Sequence, residues 1–262
     1  MEKQNYILIL GAGGNIGGKI ADRLLAQEVT VGVVGRNPEN LKRFEGKAEL
    51  WLGDFNDDTF LKEALRKASS LFLTVPDSAF SDLNATAARL ARLLKDTPVT
   101  HIVNISNSII KKAGQATRLV ALEAELNYYL EQHMLHLRCG NFFENLNWGL
   151  HTPYAPDLKL PYVSSYEVAH VAAAHLLQQD FTGKQVQALT GNQDYSMAEL
   201  AAAAGVNYRQ LPYSDENVHF YKPFNEGDFE VEPRLASYTL ADEQFTLAYF
   251  LKHDLKAEAM PV

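Results

Sequence analysis

The chain has 262 residues, 47% of them apolar or aromatic, enough for one large α/β domain or a domain with a small appendage. A formal net charge of -8 with no block of Lys and Arg argues against direct nucleic-acid binding, and no apolar run reaches the ~20 residues of a membrane span. The opening "MEKQNY" lacks the plan of a secretory signal, the lone Cys139 excludes an internal disulfide, and no Cys/His cluster has zinc spacing, so a cytoplasmic protein without a metal site is expected.

The first predicted strand, Tyr6–Leu10, empties into "GAGGNIGG", five glycines within eight residues, and restarts as an amphipathic helix. Gly11, Gly14 and Gly17 stand at spacing three: Gly11 permits a sharp turn, Gly14 lets a diphosphate approach the backbone, and Gly17 lets the helix lie close to the sheet. With Gly13, Asn15 and Ile16 they form the candidate phosphate loop, its helix-start amides facing an anion. Ile16 stands where the commoner G-x-G-x-x-G order has its last glycine, and a plain strand–helix turn is the alternative reading.

The second strand, Val29–Val34, leads to "GRNPENLKRF", with Asn37 and Pro38 as cap and first turn of a helix. NAD binders commonly place an acid at the end of this strand to hold the ribose hydroxyls, whereas an arginine suits an added 2′-phosphate. Arg36 occupies the position, so NADP(H) is favoured over NAD(H); a solvated turn residue is the alternative. The third strand, Leu50–Leu52, ends in "GDFNDD", where Asp54 is a candidate acceptor from an adenine amino group and Phe55 a flank for the ring. The fourth, Leu71–Val75, brings Thr74, Val75 and Pro76 to the place where cofactors cross such sheets.

Helical spacing follows in "ATAARLARLLK" (Ala87, Leu90, Ala91, Leu94) and "RLVALEAELNYYL" (Leu119, Leu122, Leu126, Leu130), around strands Val99–Ile105 and Met134–Arg138. This alternation implies a Rossmann-type, doubly wound parallel sheet with helices on both faces. The dinucleotide domain is expected over residues 1–150 and a smaller substrate lobe over 151–262, with "QVQALTG" returning as a strand near 185–190. "HTPYAPDLKLPY" reads as a surface loop. Ser164 with Glu167, and Ser196 with Glu199, read as capping boxes, and Gly205 closes the second helix. The tail beyond Leu211 yields one helix, near "LADEQFTLAYFLKHDL". His170 and His175 are five apart and fall on different helix faces, His133 and His136 read as partly exposed, and Cys139 reads as a small buried apolar residue.

Together, "GAGGNIGG", "GRNPENL", "LGDFND", "HIVNISN", "HLRCGNFFENL", "SYEVAHVAAAHLL" and "ALTGNQDYSMAELA" resemble the NmrA-like branch of the atypical short-chain dehydrogenase/reductases, over roughly residues 5–205. The resemblance implies NADPH-dependent quinone reductases, isoflavone-type reductases, a triphenylmethane-dye reductase, or regulators that bind dinucleotide without turnover. Most short-chain reductases pair a tyrosine with a lysine four residues later. None of the 12 tyrosines here has that lysine, and Ala121 and Glu125 occupy the two positions. Ser106 takes the place of the family's serine, either orienting a carbonyl or capping the strand end. Quinone reduction suits the missing pair, because a hydroxyaryl anion needs no positioned acid.

A conjugated small-molecule electron acceptor is therefore the expected partner, held by Asn141, Phe143 and Tyr154; Asn145 joins Ser106 as a candidate catalytic residue, and Asn141 and Asn145 are polar candidates for the acceptor's oxygens or the cofactor amide. Phe142, Phe143, Trp148 and Tyr154 read either as an aromatic slot or as core under the lobe. A non-catalytic NADP(H) sensor acting through a protein partner is the alternative, and an epimerase, which needs the tyrosine, ranks last. A homodimer is compatible with the sequence.

Overall fold

Strands and helices alternate from the start of the chain in the computed structural model, which describes residues 5–235 and 241–259. In chain order come β1 (Tyr6–Ile9), α1 (Asn15–Leu25), β2 (Thr30–Gly35), α2 (Pro38–Leu41), β3 (Glu49–Leu52), α3 (Asp58–Leu65), β4 (Ser70–Leu73) and α4 (Leu83–Leu94). Then follow β5 (His101–Asn107), β6 (Ile109–Lys112), β7 (Gln115–Ala116), α5 (Arg118–Tyr129), β8 (His133–Cys139), β9 (Asn141–Phe142), β10 (Lys159–Val163) and α6 (Ser165–Gln178). The last described elements are β11 (Lys184–Leu189), β12 (Asp194–Ser196), α7 (Met197–Ala203), α8 (Val218–Asn225), β13 (Phe229–Val231) and α9 (Leu247–His253).

Seven strands form one parallel sheet in the order β11-β8-β5-β4-β1-β2-β3. The chain runs outward one way from β1 to β3 and the other way from β4 to β11, so strand order reverses between β1 and β4. Crevices outside the carboxyl ends of strands form at such a point. All four residues of β1 and of β4 are buried, as expected for strands covered on both faces. Local chemistry sets the helix starts. Asn37 accepts the Glu39 N–H at 3.0 Å with Pro38 at the first position, and Asp82 accepts the Ala85 N–H at 2.9 Å. Gly32, on β2, leaves room for Tyr6 to reach across to β3, where its hydroxyl donates to Glu49 and accepts from Trp51 Nε1, both at 3.0 Å.

The chain separates into two compact units that interleave, so no single cut near residue 150 describes it. One unit comprises 1–106, 118–137 and 168–187; the other comprises 107–117, 138–167 and 188–262. The first carries most of the seven-stranded sheet, with α4 burying Ala87, Leu90, Leu93 and Leu94 and α5 burying Leu122 and Leu126. The second is built on two three-stranded sheets, β12-β10-β9 and β13-β6-β7, over a core including Phe143, Leu160, Tyr162, Leu200, Phe224 and Phe250.

Several expectations need correction. Within "HTPYAPDLKLPY", expected to be a surface loop, β10 is a largely buried strand. Pro161 is tolerated because β10 pairs with β12 over Lys159–Pro161 and with β9 only from Tyr162 onward, so its missing N–H falls at the changeover. The tail contains α8 as well as α9; Pro223 lies inside α8 and obscures it in the sequence. The expected tail helix begins at Leu247, and part of the segment assigned to it, Leu240 included, lies outside the described residues. His136 is fully buried, with Asn104 Nδ2 at 3.0 Å from its Nδ1 and Asn127 Oδ1 at 2.9 Å from its Nε2. Ser196 and Glu199 do make a capping box, whereas Ser164 accepts the Tyr166 N–H and donates to the Gln244 carbonyl.

Cys139 is buried, and burial, with Glu167 a lesser influence, pushes its thiol pKa well up. The native protein should therefore leave 5,5′-dithiobis(2-nitrobenzoate) unreacted until guanidinium unfolds it, releasing one equivalent of thiolate. Rapid labelling of folded protein would contradict that burial.

Candidate functional site

A cleft of about 320 Å³ opens in the first unit beside the turns that follow β1, β2, β3 and β4. Its lining includes Gly11, Gly14, Arg36, Asp54, Phe55, Thr74, Val75 and Pro76, eight residues taken from four separate strand ends. The turn after β1 explains the glycines. Gly11 has φ +67°, in the left-handed region, and a Cβ there would lie 2.7 Å from Thr74 Cγ2. A Cβ on Gly17 would lie 2.6 Å from the Gly11 carbonyl oxygen, so only glycine lets α1 pack this close to the turn. Gly14 caps α1 with no side-chain bond, and the first-turn amides that follow it have no intrahelical acceptor. A small-residue wall, an exposed helix start and no acidic residue in the first turn of α1 fit a diphosphate. Asn15, Ile16 and Gly17 contribute through that turn without lining the cleft, and Gly13 packs against Asn40. Lys19 Nζ donates to Asn15 Oδ1 at 2.5 Å.

Arg36 and Asp54 meet as a loose ion pair, 3.8 Å apart and 75% and 46% exposed. Such a pair contributes little to stability, so the guanidinium is available to a ligand. Asp54 also accepts the Asn56 N–H at 2.8 Å, which fixes its carboxylate after β3. Phe55 is braced by Arg89, whose guanidinium lies 5.0 Å from the ring centroid and donates to the Phe55 carbonyl at 2.6 Å. Of the second-strand cations beyond Arg36, Arg43 is engaged with Asp22 at 3.3 Å.

The second unit holds its own cleft, of about 300 Å³. Trp148, Tyr154, Tyr162, Phe220 and Tyr221 supply aromatic surface; Asn141, Asn145, His151, Thr152 and Asn217 supply polar groups. Among the described residues no Asp, Glu, Lys or Arg lines it. Burial raises the hydroxyl pKa of Tyr154, Tyr162 and Tyr221, so these tyrosines stay protonated and serve as hydrogen-bonding groups rather than bases. Tyr208 braces the wall: its hydroxyl lies 2.7 Å from the carbonyls of both Thr152 and Tyr154 and shares its one proton between them. Lys112 lies over the Phe220 ring at 4.2 Å and holds the half-exposed phenyl in place.

The structure thus gathers Asn141, Asn145 and Tyr154 around one cleft and leaves Phe143 out of it. Phe143 is 3% exposed and stacks at 6.2 Å on Tyr162, so it backs the wall from the core side. Trp148, by contrast, is 88% exposed. Ser106, near the end of β5, lines neither cleft, and among the described residues its buried hydroxyl has no hydrogen-bond partner. Glu125 Oε2 accepts from Asn84 at 3.0 Å. His170 lies 3.2 Å from Arg23, and His175 lies 2.6 Å from Asp180, different neighbours as their spacing requires. Among the described residues no group of three or more His, Cys, Asp and Glu is placed to hold a metal, and no helix is long and apolar enough to cross a membrane. Sequence reasoning missed His151, Asn217, Phe220 and Tyr221, which carry no periodic or motif signal and meet only through tertiary folding.

These features define a Rossmann-type α/β protein with a glycine-lined cleft at the strand ends. Residues 11–138 match an NAD(P)H-binding family. No curated protein sequence matches the chain. Its fold is similar to that of a nucleoside-diphosphate-sugar epimerase from Staphylococcus aureus (TM-score 0.74, 20% identity, 95% of this chain and 99% of that one). It is also similar to the triphenylmethane reductase of Citrobacter sp. (TM-score 0.73, 19% identity, 96% and 99%). NmrA, a negative transcriptional regulator solved in complex with NADP, shares the fold at TM-score 0.70 and 14% identity, over 98% of this chain and 94% of NmrA. The chain therefore shares the Rossmann-like fold of these structures, and residues 11–138 are the part similar to an NAD(P)H-binding family.

Proposed function

We propose that the chain is a cytoplasmic NADPH-dependent reductase that passes hydride to a neutral, conjugated carbonyl compound such as a quinone. The observation that carries this reading is the second cleft: five aromatic side chains and several amides and hydroxyls, with no charged residue. Such a lining favours a flat, uncharged molecule bearing oxygens and offers nothing to neutralise the diphosphate of a nucleotide sugar. An epimerase reading is weakened further by Ala121 and Glu125 at the positions of the tyrosine and lysine.

Bound NADPH would supply the hydride. Gly11 and Gly14, with the first-turn amides of Asn15, Ile16 and Gly17 and the space left by Gly13, hold its diphosphate. Arg36 holds the 2′-phosphate, Asp54 and Phe55 the adenine, and Thr74, Val75 and Pro76 flank the path towards the nicotinamide. Asn141, Asn145 and Tyr154 hold the acceptor's oxygens, and the buried Ser106 hydroxyl has no part in holding them. Per turnover one NADPH, one quinone and one proton give NADP⁺ and a hydroquinone. Because the reduced acceptor leaves as a weakly basic hydroxyaryl anion, water suffices as proton source and no tyrosine–lysine pair is required. The chain contributes position, which in ideal cases lowers a barrier by about 7–11 kcal/mol.

The second reading, a dinucleotide-binding regulator, is favoured by the engagement of Glu125 with Asn84 and by the unexposed Ser106 hydroxyl. Absorbance at 340 nm separates the two. Slow NADPH oxidation with 1,4-benzoquinone or 1,4-naphthoquinone is expected; tight coenzyme binding with no turnover across a broad panel of acceptors would favour the regulator.

A further inference from the structure

We propose that His151 is the residue that selects for a ligand oxygen in the second cleft, donating a hydrogen bond from Nε2 while Nδ1 is engaged by the backbone. This rests on the reading of that cleft as the acceptor site. His151 lines the cleft and its Nδ1 accepts the backbone N–H of Arg209 at 3.2 Å. An imidazole nitrogen that accepts a hydrogen bond carries no proton, so the ring proton of neutral His151 is on Nε2. The ring is packed against Tyr208, centroids 6.2 Å apart, and Tyr208 is itself tied by its hydroxyl to the carbonyls of Thr152 and Tyr154. Two contacts therefore hold the imidazole, a hydrogen bond to Nδ1 and a tilted ring contact with Tyr208. Among the described residues Nε2 has no hydrogen-bond partner, and it is not a sealed buried atom.

The other polar groups of the cleft differ in kind. The amides of Asn141 and Asn145 and the hydroxyls of Tyr154 and Tyr221 each carry a donor and an acceptor, and so accommodate either a carbonyl or a hydroxyl on the ligand, whereas Asn217 Oδ1 accepts the Ser214 N–H at 2.9 Å and the Thr152 hydroxyl meets that of Tyr208 at 3.0 Å. Neutral His151 with Nδ1 engaged offers a donor alone. It rewards a carbonyl or an oxyanion and gives nothing to a hydrocarbon of the same shape. Among the described residues the cleft has no Asp, Glu, Lys or Arg, so a donor there would act on an oxygen that gains negative charge on reduction.

Trp148, at the cleft and 88% exposed, reports occupancy by fluorescence. With full-length protein, 1,4-naphthoquinone should bind more tightly than naphthalene, and His151→Phe should weaken the quinone about tenfold while leaving naphthalene unchanged. His151→Gln, which restores an N–H donor, should recover part of that loss. The Arg209 N–H released by either variant belongs to an exposed residue and can turn to water, so the melting temperature should stay near that of the native protein. Equal weakening of both probes, or no weakening of either, would overturn the assignment. The binding readout needs no turnover: a protein that oxidises no NADPH yet shows the His151 effect defeats the reductase reading alone. One that turns over quinone with His151→Phe indistinguishable from native defeats the His151 assignment alone.

Discussion

Gly14→Val is expected to lower NADPH affinity by at least about 100-fold, or ~2.7 kcal/mol, while the protein keeps its fold. Gly14 lines the dinucleotide cleft at the cap of α1, with φ -92° and ψ 179°, extended backbone that any residue adopts. A Cβ there would sit 3.2 Å from the Gly11 carbonyl oxygen, a crowding that a shift of a few tenths of an ångström relieves. The two outer γ-methyls have no such escape and enter the space assigned to the diphosphate. Gly17→Val is the contrasting case: its Cβ would meet the Gly11 backbone at 2.6 Å, so the turn itself must move and stability falls along with binding. Circular dichroism and a thermal melt separate the two variants. Retained NADPH binding in folded Gly14→Val would remove the phosphate loop from the account.

Arg36→Ala is expected to act on the choice of coenzyme. Native protein should bind NADPH at least about tenfold more tightly than NADH, because a guanidinium facing a phosphate makes charge-assisted bonds of about 1.5–3 kcal/mol. The variant should bring the two within about threefold, mainly by weakening NADPH. Arg36 is 75% exposed, so the preference should also shrink as salt is raised. The loose pairing of Arg36 with Asp54 matters for the sign: the arginine offsets a carboxylate that would otherwise repel a 2′-phosphate. Identical NADPH and NADH titrations in the native protein would contradict the role given to Arg36.

What the sequence made legible was local. The turn between β1 and α1 shows in the spacing of Gly11, Gly14 and Gly17 because its constraints act within a few residues. Strands buried on both faces show as apolar runs, and Asn37 and Ser196 show as caps because each cap closes on its own next turn. Arg36, Asp54 and Thr74 follow from the topology once the sheet is recognised. The second unit resisted for physical reasons: β6 pairs with β13 across more than a hundred residues, and β9 is a strand of two. Pro161 and Pro223 carry ordinary breaking signals that the surrounding packing overrides. An aromatic run leaves core and slot indistinguishable, and the structure resolves it by sending Phe143 inward and Trp148 outward. His151, Phe220 and Tyr221 came from segments without periodicity, and only folding brings them to one cleft.

Isothermal titration of the native protein with NADPH tests the central claim most directly. The account predicts heat that saturates at one coenzyme per chain, lost in Gly14→Val. Absence of heat with both NADPH and NADH, in protein shown to be folded, would contradict it.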